Sequence, residues 1–327
     1  MRKIGLSTQT GYVGKWLDIS KYLPRRTLDR LAKKWMGFQA IAVAMLVPLI
    51  AFALLFRAQP ILTAKSLREL LLGTNWHPLK QAFGFYPFIM GTLWVTLTSM
   101  VIAVPPSLMT AIYLAEYAPK RIRALAKPLI DLLAGIPSVV YGVWGVLTVV
   151  PFIRNHVAPT LERWSSFIPL FRSDNTTGYS VLAGGLVLAV MVFPIIIAVA
   201  EEVIHAVPQD LREASLALGA TRWQTIKFVT LRKAFAGVMA AIALAFSRAF
   251  GETMAVMMVV GNVPQAPSSF LDSAYPLTAL IANNYGEMMS IPLYDAALLG
   301  AALLLMLVVL IFNITSRLVL VRLMGHF

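Results

Sequence analysis

Arg248 and Glu252 are the residues in this sequence best placed to do chemistry, because both fall inside an otherwise apolar run, residues 234–260. If that run is one helix, positions four apart project from the same face, about 6 Å apart along the axis. An arginine at the centre of a membrane span costs roughly 2.5–3.5 kcal/mol even on a lenient scale, which marks it as a functional position by default. A guanidinium presents a planar fork of donors that matches the oxygens of a tetrahedral oxyanion. A neighbouring carboxylate repels a fully ionised anion, yet it can accept a hydrogen bond from a P–OH group. Inorganic phosphate near neutral pH still carries such a hydroxyl, and sulfate does not. The pair therefore predicts that Arg248 attracts an anion and that Glu252 separates phosphate from sulfate. The competing role is structural, an ion pair that neutralises itself and lets the helix insert. Thr253, Ser247 and Ser138 offer hydroxyls to a passing anion, or bond carbonyls of their own helices.

The remaining candidates carry less. Asp131 stands four residues after Lys127, where a carboxylate in a helix's first turn would complement the dipole or pair with that lysine. Asn262 follows the apolar run with no role that its type assigns. His77, His156, His205 and His326 are far apart, and no metal-ligand spacing links them. Cysteine is absent, which removes disulfides, thiolate metal sites and cysteine nucleophiles. Gly11-Tyr12-Val13-Gly14-Lys15 lacks the spacing and the Ser/Thr of a phosphate-binding loop. With no nucleophile–base or metal constellation, the chain is expected not to be an enzyme and to bind no cofactor itself.

The elements that must position these residues follow from composition. Of 327 residues, 58% are hydrophobic and 13% charged, against roughly 25% charged in soluble chains. That excludes an ordinary water-soluble enzyme. Six apolar stretches, 36–56, 87–115, 129–152, 180–200, 234–260 and 296–315, supply the ~20 residues that a helix needs to cross a ~30 Å hydrocarbon core. The expected fold class is therefore an all-α integral membrane protein with six transmembrane helices, residues 36–327 forming the membrane domain. The net charge of +13 faces a membrane surface rather than nucleic acid. With the N-terminus inside, 20 Lys and Arg lie on the cytoplasmic side and seven on the other. This asymmetry predicts both termini in the cytoplasm.

Residues 1–35 form a basic cytoplasmic segment. Leu28, Leu31, Ala32 and Trp35 share a helical face edged by Arg25, Arg26, Arg30, Lys33 and Lys34. Such a helix would lie on an anionic leaflet, although a disordered basic tail would serve orientation equally. Pro105, Pro106, Pro137 and Pro194 each remove a backbone donor inside an expected span and predict kinks there.

The 201–233 interval is more than a connector. Pro208 can start a helix and Gly219 can stop it, and a second helical stretch, Thr221 to Lys233, then runs into the fifth span. Leu211, Ala214, Ser215 and Leu218 would share a small apolar face, suited to a groove on another protein or to lipid.

This interval resembles a known family. Glu213-Ala214-Ser215, three residues, Gly219, nine residues and Val229-Thr230-Leu231 is similar to the EAA loop of ATP-binding-cassette importer permeases. Ser215 and Val229 are conservative variants, and Arg232 stands where that pattern has Pro. Ile136-Pro137-Ser138-Val139-Val140-Tyr141-Gly142-Val143-Trp144-Gly145 and Arg248-Ala249-Phe250-Gly251-Glu252-Thr253-Met254-Ala255-Val256 resemble two segments of phosphate-specific permeases. Trp144-Gly145 and Gly261-Asn262 look more like the PstC type than its PstA partner.

The resemblance implies a type I importer (MetI-like) permease architecture in a bacterial plasma membrane. It implies that Leu211, Glu213, Ala214, Ser215, Leu218 and Gly219 belong to a coupling element docked on an ATPase subunit. Arg248, Glu252, Thr253 and Ser138 would lie on the substrate pathway. The implied partners are a PstA-like permease, two ATPase subunits that use ATP and Mg, and an external phosphate-binding protein. Loop 261–295 holds Asp272, Glu287 and Asp295 and no Lys or Arg, which suits docking of a protein better than capture of free phosphate. The residues leave open a permease for another oxyanion or small solute, and an ATPase-independent anion channel or carrier.

Overall fold

A computed structural model describes residues 25–165, 169–172, 175–287 and 291–324. The N-terminal portion before Arg25, with the Gly11–Lys15 stretch, lies outside these residues, as does His326. In chain order the elements are α1 (Arg25–Ala64), α2 (Leu67–Leu72), β1 (Trp76–His77), β2 (Ala82–Phe83) and α3 (Tyr86–Ile112). The two strands pair antiparallel, Trp76 opposite Phe83. Helix α3 closes in a π turn, Tyr113–Tyr117, before α4 (Lys120–Ala134). The third long stretch comprises α5 (Ser138–Trp144), a π turn at Gly145–Val149, α6 (Val150–Phe152), a second π turn at Ile153–Val157, and α7 (Ala158–Ser165). Then come α8 (Val181–His205), α9 (Gln209–Ala217), α10 (Arg222–Thr225), a π turn at Ile226–Thr230 and α11 (Leu231–Phe250). The last helices are α12 (Met254–Val259), α13 (Leu277–Asn284) and α14 (Tyr294–Met324).

Among the described residues six stretches are long and apolar enough to cross a membrane: Thr27–Ala64, Tyr86–Tyr117, Ser138–Leu161, Val181–His205, Arg222–Phe250 and Tyr294–Leu318. The chain divides into a unit ending at Ala53 and one beginning at Leu54. In the first, residues 25–34 are helical and continuous with the span that follows, and Leu31, Trp35 and Phe38 are exposed.

The second unit is built around α3 packed on α8. Val95, Met100 and Ala103 meet Val187, Leu188, Met191 and Val192 in one buried cluster that also takes in Ala245, Ala249, Ala255 and Val259. Lipid tails are as apolar as leucine, so burial alone does not drive this packing. Close approach of small residues does. A second cluster sits where Ala58 and Ile61 meet Phe83, Phe85, Phe88, Leu298 and Ala301. Trp76 stacks edge-on against Phe88 there, with ring centroids 5.0 Å apart. A third cluster joins Ala111, Ala200, Ile204, Ala234 and Val238 at the end of the bundle that carries α9.

Two spans start or stop well inside the runs read from the sequence. The third begins at Ser138 rather than residue 129, because Gly135 ends α4 and Pro137 N-caps α5. Pro137 therefore starts a helix instead of kinking one. The fifth ends at Phe250 rather than residue 260, with Gly251 as its C-cap. Pro105, Pro106 and Pro194 stay inside continuous helices. The irregular geometry of the third span instead surrounds Pro151, which lies between the two π turns. Such turns relieve a helix where an i to i−4 bond is lost.

Candidate functional site

Helix α12, which follows the break that ends α11, packs directly on α5. A Cβ on Gly142 would stand 2.6 Å from Met258 Sδ and 3.2 Å from Ala255 Cα, so α5 and α12 lie in direct contact and only glycine fits. A Cβ on Gly145 would stand 2.7 Å from both Val259 Cγ1 and Val187 Cγ2. Gly142 is thus level with Ala255, and Gly145 with Val259 and Val187. Ser138 lies one turn earlier, as the first residue of α5. Both α5 and α12 begin within a turn of these contacts, and a helix start leaves backbone N–H groups without intrahelical acceptors.

Arg248 occupies the last turn of α11 and is exposed. Its guanidinium acts electrostatically on Tyr141 of α5. The Tyr141 hydroxyl donates to the Leu133 carbonyl at 2.8 Å, which ties α5 back to α4. Glu252 is half-buried and does not share a helical face with Arg248, because the helix ends between them. Neither takes part in an ion pair among the described residues. The self-neutralising pair expected from an i,i+4 spacing is therefore not formed. Instead, Glu252 Oε1 accepts the Ala255 N–H at 3.3 Å, a carboxylate at the positive end of α12. The Glu252 carbonyl accepts the Thr278 hydroxyl at 2.9 Å, so α13 also holds the break.

The hydroxyls divide. Ser138 is half-buried at the start of α5. Thr253 N-caps α12 and its hydroxyl reaches the Gly251 carbonyl at 3.4 Å. Ser247 bonds the Ala243 carbonyl of its own helix at 2.9 Å and lies 2.9 Å from Asn313 Oδ1. Asn262, at φ 54°, turns its amide back onto the Met257 carbonyl at 2.8 Å and so closes α12. Asp131 falls in the last turn of α4, not the first turn of a span, so the dipole argument is reversed there. It lines a cavity of about 20 Å³ with Lys127, Arg123 and Glu201, in which Arg123 pairs with Glu201. Among the described residues no three His, Asp or Glu side chains converge as metal ligands.

The 201–233 interval forms a helix hairpin. Pro208 N-caps α9. Gly219, at φ 86°, ends it in a Schellman arrangement, with Gly219 N–H on the Leu216 carbonyl and Ala220 N–H on the Ser215 carbonyl. Thr221 and Gln224 then form a capping box for α10. Leu211, Glu213, Ala214 and Gly219 are exposed, and Leu218 is 90% exposed. Ser215 faces the other way, 3.0 Å from the Thr225 hydroxyl, and so braces the hairpin. Arg232 continues the helix where the EAA pattern has Pro. Glu116, Tyr141 and Thr278 were missed by sequence reasoning; their partners lie elsewhere in the chain.

A family described as binding-protein-dependent transport system inner membrane component matches residues 107–324. The phosphate transport system permease protein PstC of Pasteurella multocida is 33% identical over 303 residues, which is 92% of this chain and 94% of that protein. The probable ABC transporter permease protein YqgH of Bacillus subtilis is 39% identical over 256 residues, 76% of this chain and 78% of its own. Among solved structures, an inward-facing MetNI methionine ABC transporter aligns with a TM-score of 0.53 at 20% identity, covering 71% of this chain and 93% of its own. A bacterial alginate ABC transporter aligns at 0.51 and 19% identity, covering 86% and 94%. At these identities the structures speak for the fold alone.

Proposed function

Because the chain belongs to the binding-protein-dependent ABC importer permeases, in their PstC-type phosphate branch, we propose that it forms half of the membrane pathway of an ATP-driven inorganic phosphate importer. The observation that carries this reading is the exposed guanidinium of Arg248, outside any ion pair among the described residues, beside the break between α11 and α12. An exposed guanidinium beside an unwound segment and helix starts suits an anion, and discontinuous helices at mid-span are how carriers build such sites. Glu252 holds the start of α12 with one oxygen, and its other oxygen is the acceptor for a P–OH donor. Thr253 and Ser138 flank that route.

A PstA-like permease completes the pathway, and two ATPase subunits bind and hydrolyse ATP with Mg. The exposed surface of Leu211, Glu213, Ala214, Leu218 and Gly219 docks on the ATPase, with Ser215 bracing it from behind. An external phosphate-binding protein delivers substrate to the outer loops. Both termini face the cytoplasm of a bacterial inner membrane. The test is ATP-dependent uptake of labelled phosphate by the co-expressed complex in vesicles, with sulfate and molybdate as competitors. Phosphate-selective uptake that Arg248→Ala removes, in a complex that still assembles, supports the proposal. Uptake indifferent to that substitution returns Arg248 to a structural role, and absence of phosphate uptake means another substrate.

A further inference from the structure

Glu116 lies at the end of the second span, in the π turn Tyr113–Tyr117, and its side chain is only 8% exposed. A carboxylate buried to that degree needs partners. The carboxylate has Arg212 and the backbone carbonyl of the same residue has Arg222, both from the α9–α10 hairpin about a hundred residues later. Arg212 of α9 reaches the Glu116 carboxylate, Nε at 3.1 Å and an Nη at 3.0 Å from Oε1. The same guanidinium donates to the Val207 carbonyl at 2.6 Å and the Ile204 carbonyl at 2.8 Å, at the end of α8. Arg222 of α10 donates to the Glu116 backbone carbonyl and lies over the Tyr117 ring, 4.7 Å from its centroid.

The hairpin is joined covalently to the fourth and fifth spans. These contacts fasten it to the second as well. We infer that Glu116 is the positioning residue that makes the second span follow the α9–α10 hairpin. The chemistry suits that role, because a planar guanidinium held by one carboxylate and two carbonyls keeps a fixed direction, which a lysine ammonium would not. A displacement imposed on the exposed side of α9 is then carried through Arg212 and Arg222 to Tyr113–Tyr117 without passing through the loop ends. Ser215 and Thr225 bond one another across the hairpin, so that its two arms move together. This inference rests on the proposal that an ATPase partner docks on α9.

The experiment uses the complete complex in vesicles and reads assembly by copurification, ATP hydrolysis, and phosphate uptake for the native chain, E116A, E116Q, R212A and E116A/R212A. The expected result is that E116A assembles and hydrolyses ATP but consumes about two- to thirtyfold more ATP per phosphate imported, the range that residues coupling two sites span. The double variant should be no worse than R212A alone, since both changes break one link. E116Q, which keeps the volume and one acceptor, should fall between E116A and the native chain, and it carries the same reading if E116A does not assemble. A native ATP-to-phosphate ratio in E116A or, failing assembly, in E116Q overturns the inference. So does additivity in the double variant, or loss of hydrolysis in step with uptake. A native complex without ATP-driven phosphate uptake overturns the importer proposal itself and the inference with it.

Discussion

The Glu252 carboxylate accepts the backbone N–H of Ala255 at 3.3 Å, so the acid nearest Arg248 in sequence is directed at the start of α12 and not at the guanidinium. One side chain therefore has two roles that substitution can separate. E252Q keeps an oxygen for the Ala255 N–H and loses the charge, and it should narrow the preference for phosphate over sulfate while the complex still assembles. E252A also loses the acceptor, and should cost about 1 kcal/mol of stability from the helix end. Competition assays and thermal inactivation measure the two separately. Unchanged selectivity in E252Q would sink the P–OH role.

Among the described residues Arg248 has no carboxylate partner, so its fork of donors is not engaged by an acid of this chain. R248K preserves the charge and loses the bidentate geometry. Uptake by R248K should need about 10- to 100-fold more phosphate for half-saturation, as charge-assisted hydrogen bonds are worth roughly 1.5–3 kcal/mol. R248A should abolish measurable uptake. Equal half-saturation in R248K and the native complex would mean that only charge matters.

Gly142 sets the spacing between α5 and α12. G142A drives a methyl group against Met258 Sδ and the Ala255 backbone, at a cost of about 1–3 kcal/mol for overpacking. The sulfur can move and the backbone cannot, so adding M258A should recover only part of the loss. Full recovery of thermal stability in G142A/M258A would show that α12 is free to shift.

At Gly219 the added methyl group would meet nothing within 4 Å, and the left-handed φ alone opposes it. G219A should therefore cost about 1–2 kcal/mol locally, and G219N less, because asparagine tolerates this conformation. ATP hydrolysis by the assembled complex should fall in the order native, G219N, G219A. Equal hydrolysis in all three would separate the end of α9 from docking.

Six spans were legible because apolar length is a local property, and the α9 hairpin was legible because Pro208, Gly219 and Thr221 mark its ends within a few residues. The break after Phe250 was not. A lone glycine in an apolar run reads as a tolerated helix residue, and only the packing of α12 on Gly142 and Gly145 shows why the chain turns there. The i,i+4 face of Arg248 and Glu252 failed for that reason. Gly135 and Pro137 did signal the late start of the third span, but the apolar tail of α4 concealed it. Glu116 left no sequence signal beyond an acid at the end of a span, since Arg212 lies 96 residues away.

The two π turns flanking Pro151 give the third span a hidden arithmetic. Each holds one residue more than an α turn, and one residue is about 100° of rotation. Deleting a single residue from Gly145–Val149 would restore ordinary winding and leave the span a span. It would leave what lies beyond, including Ile153 and Leu161, facing its present neighbours, because the wide turn takes up its extra residue within a single turn. For this stretch the wide turns act as slack, so that one residue can be lost there without redirecting the helix that follows.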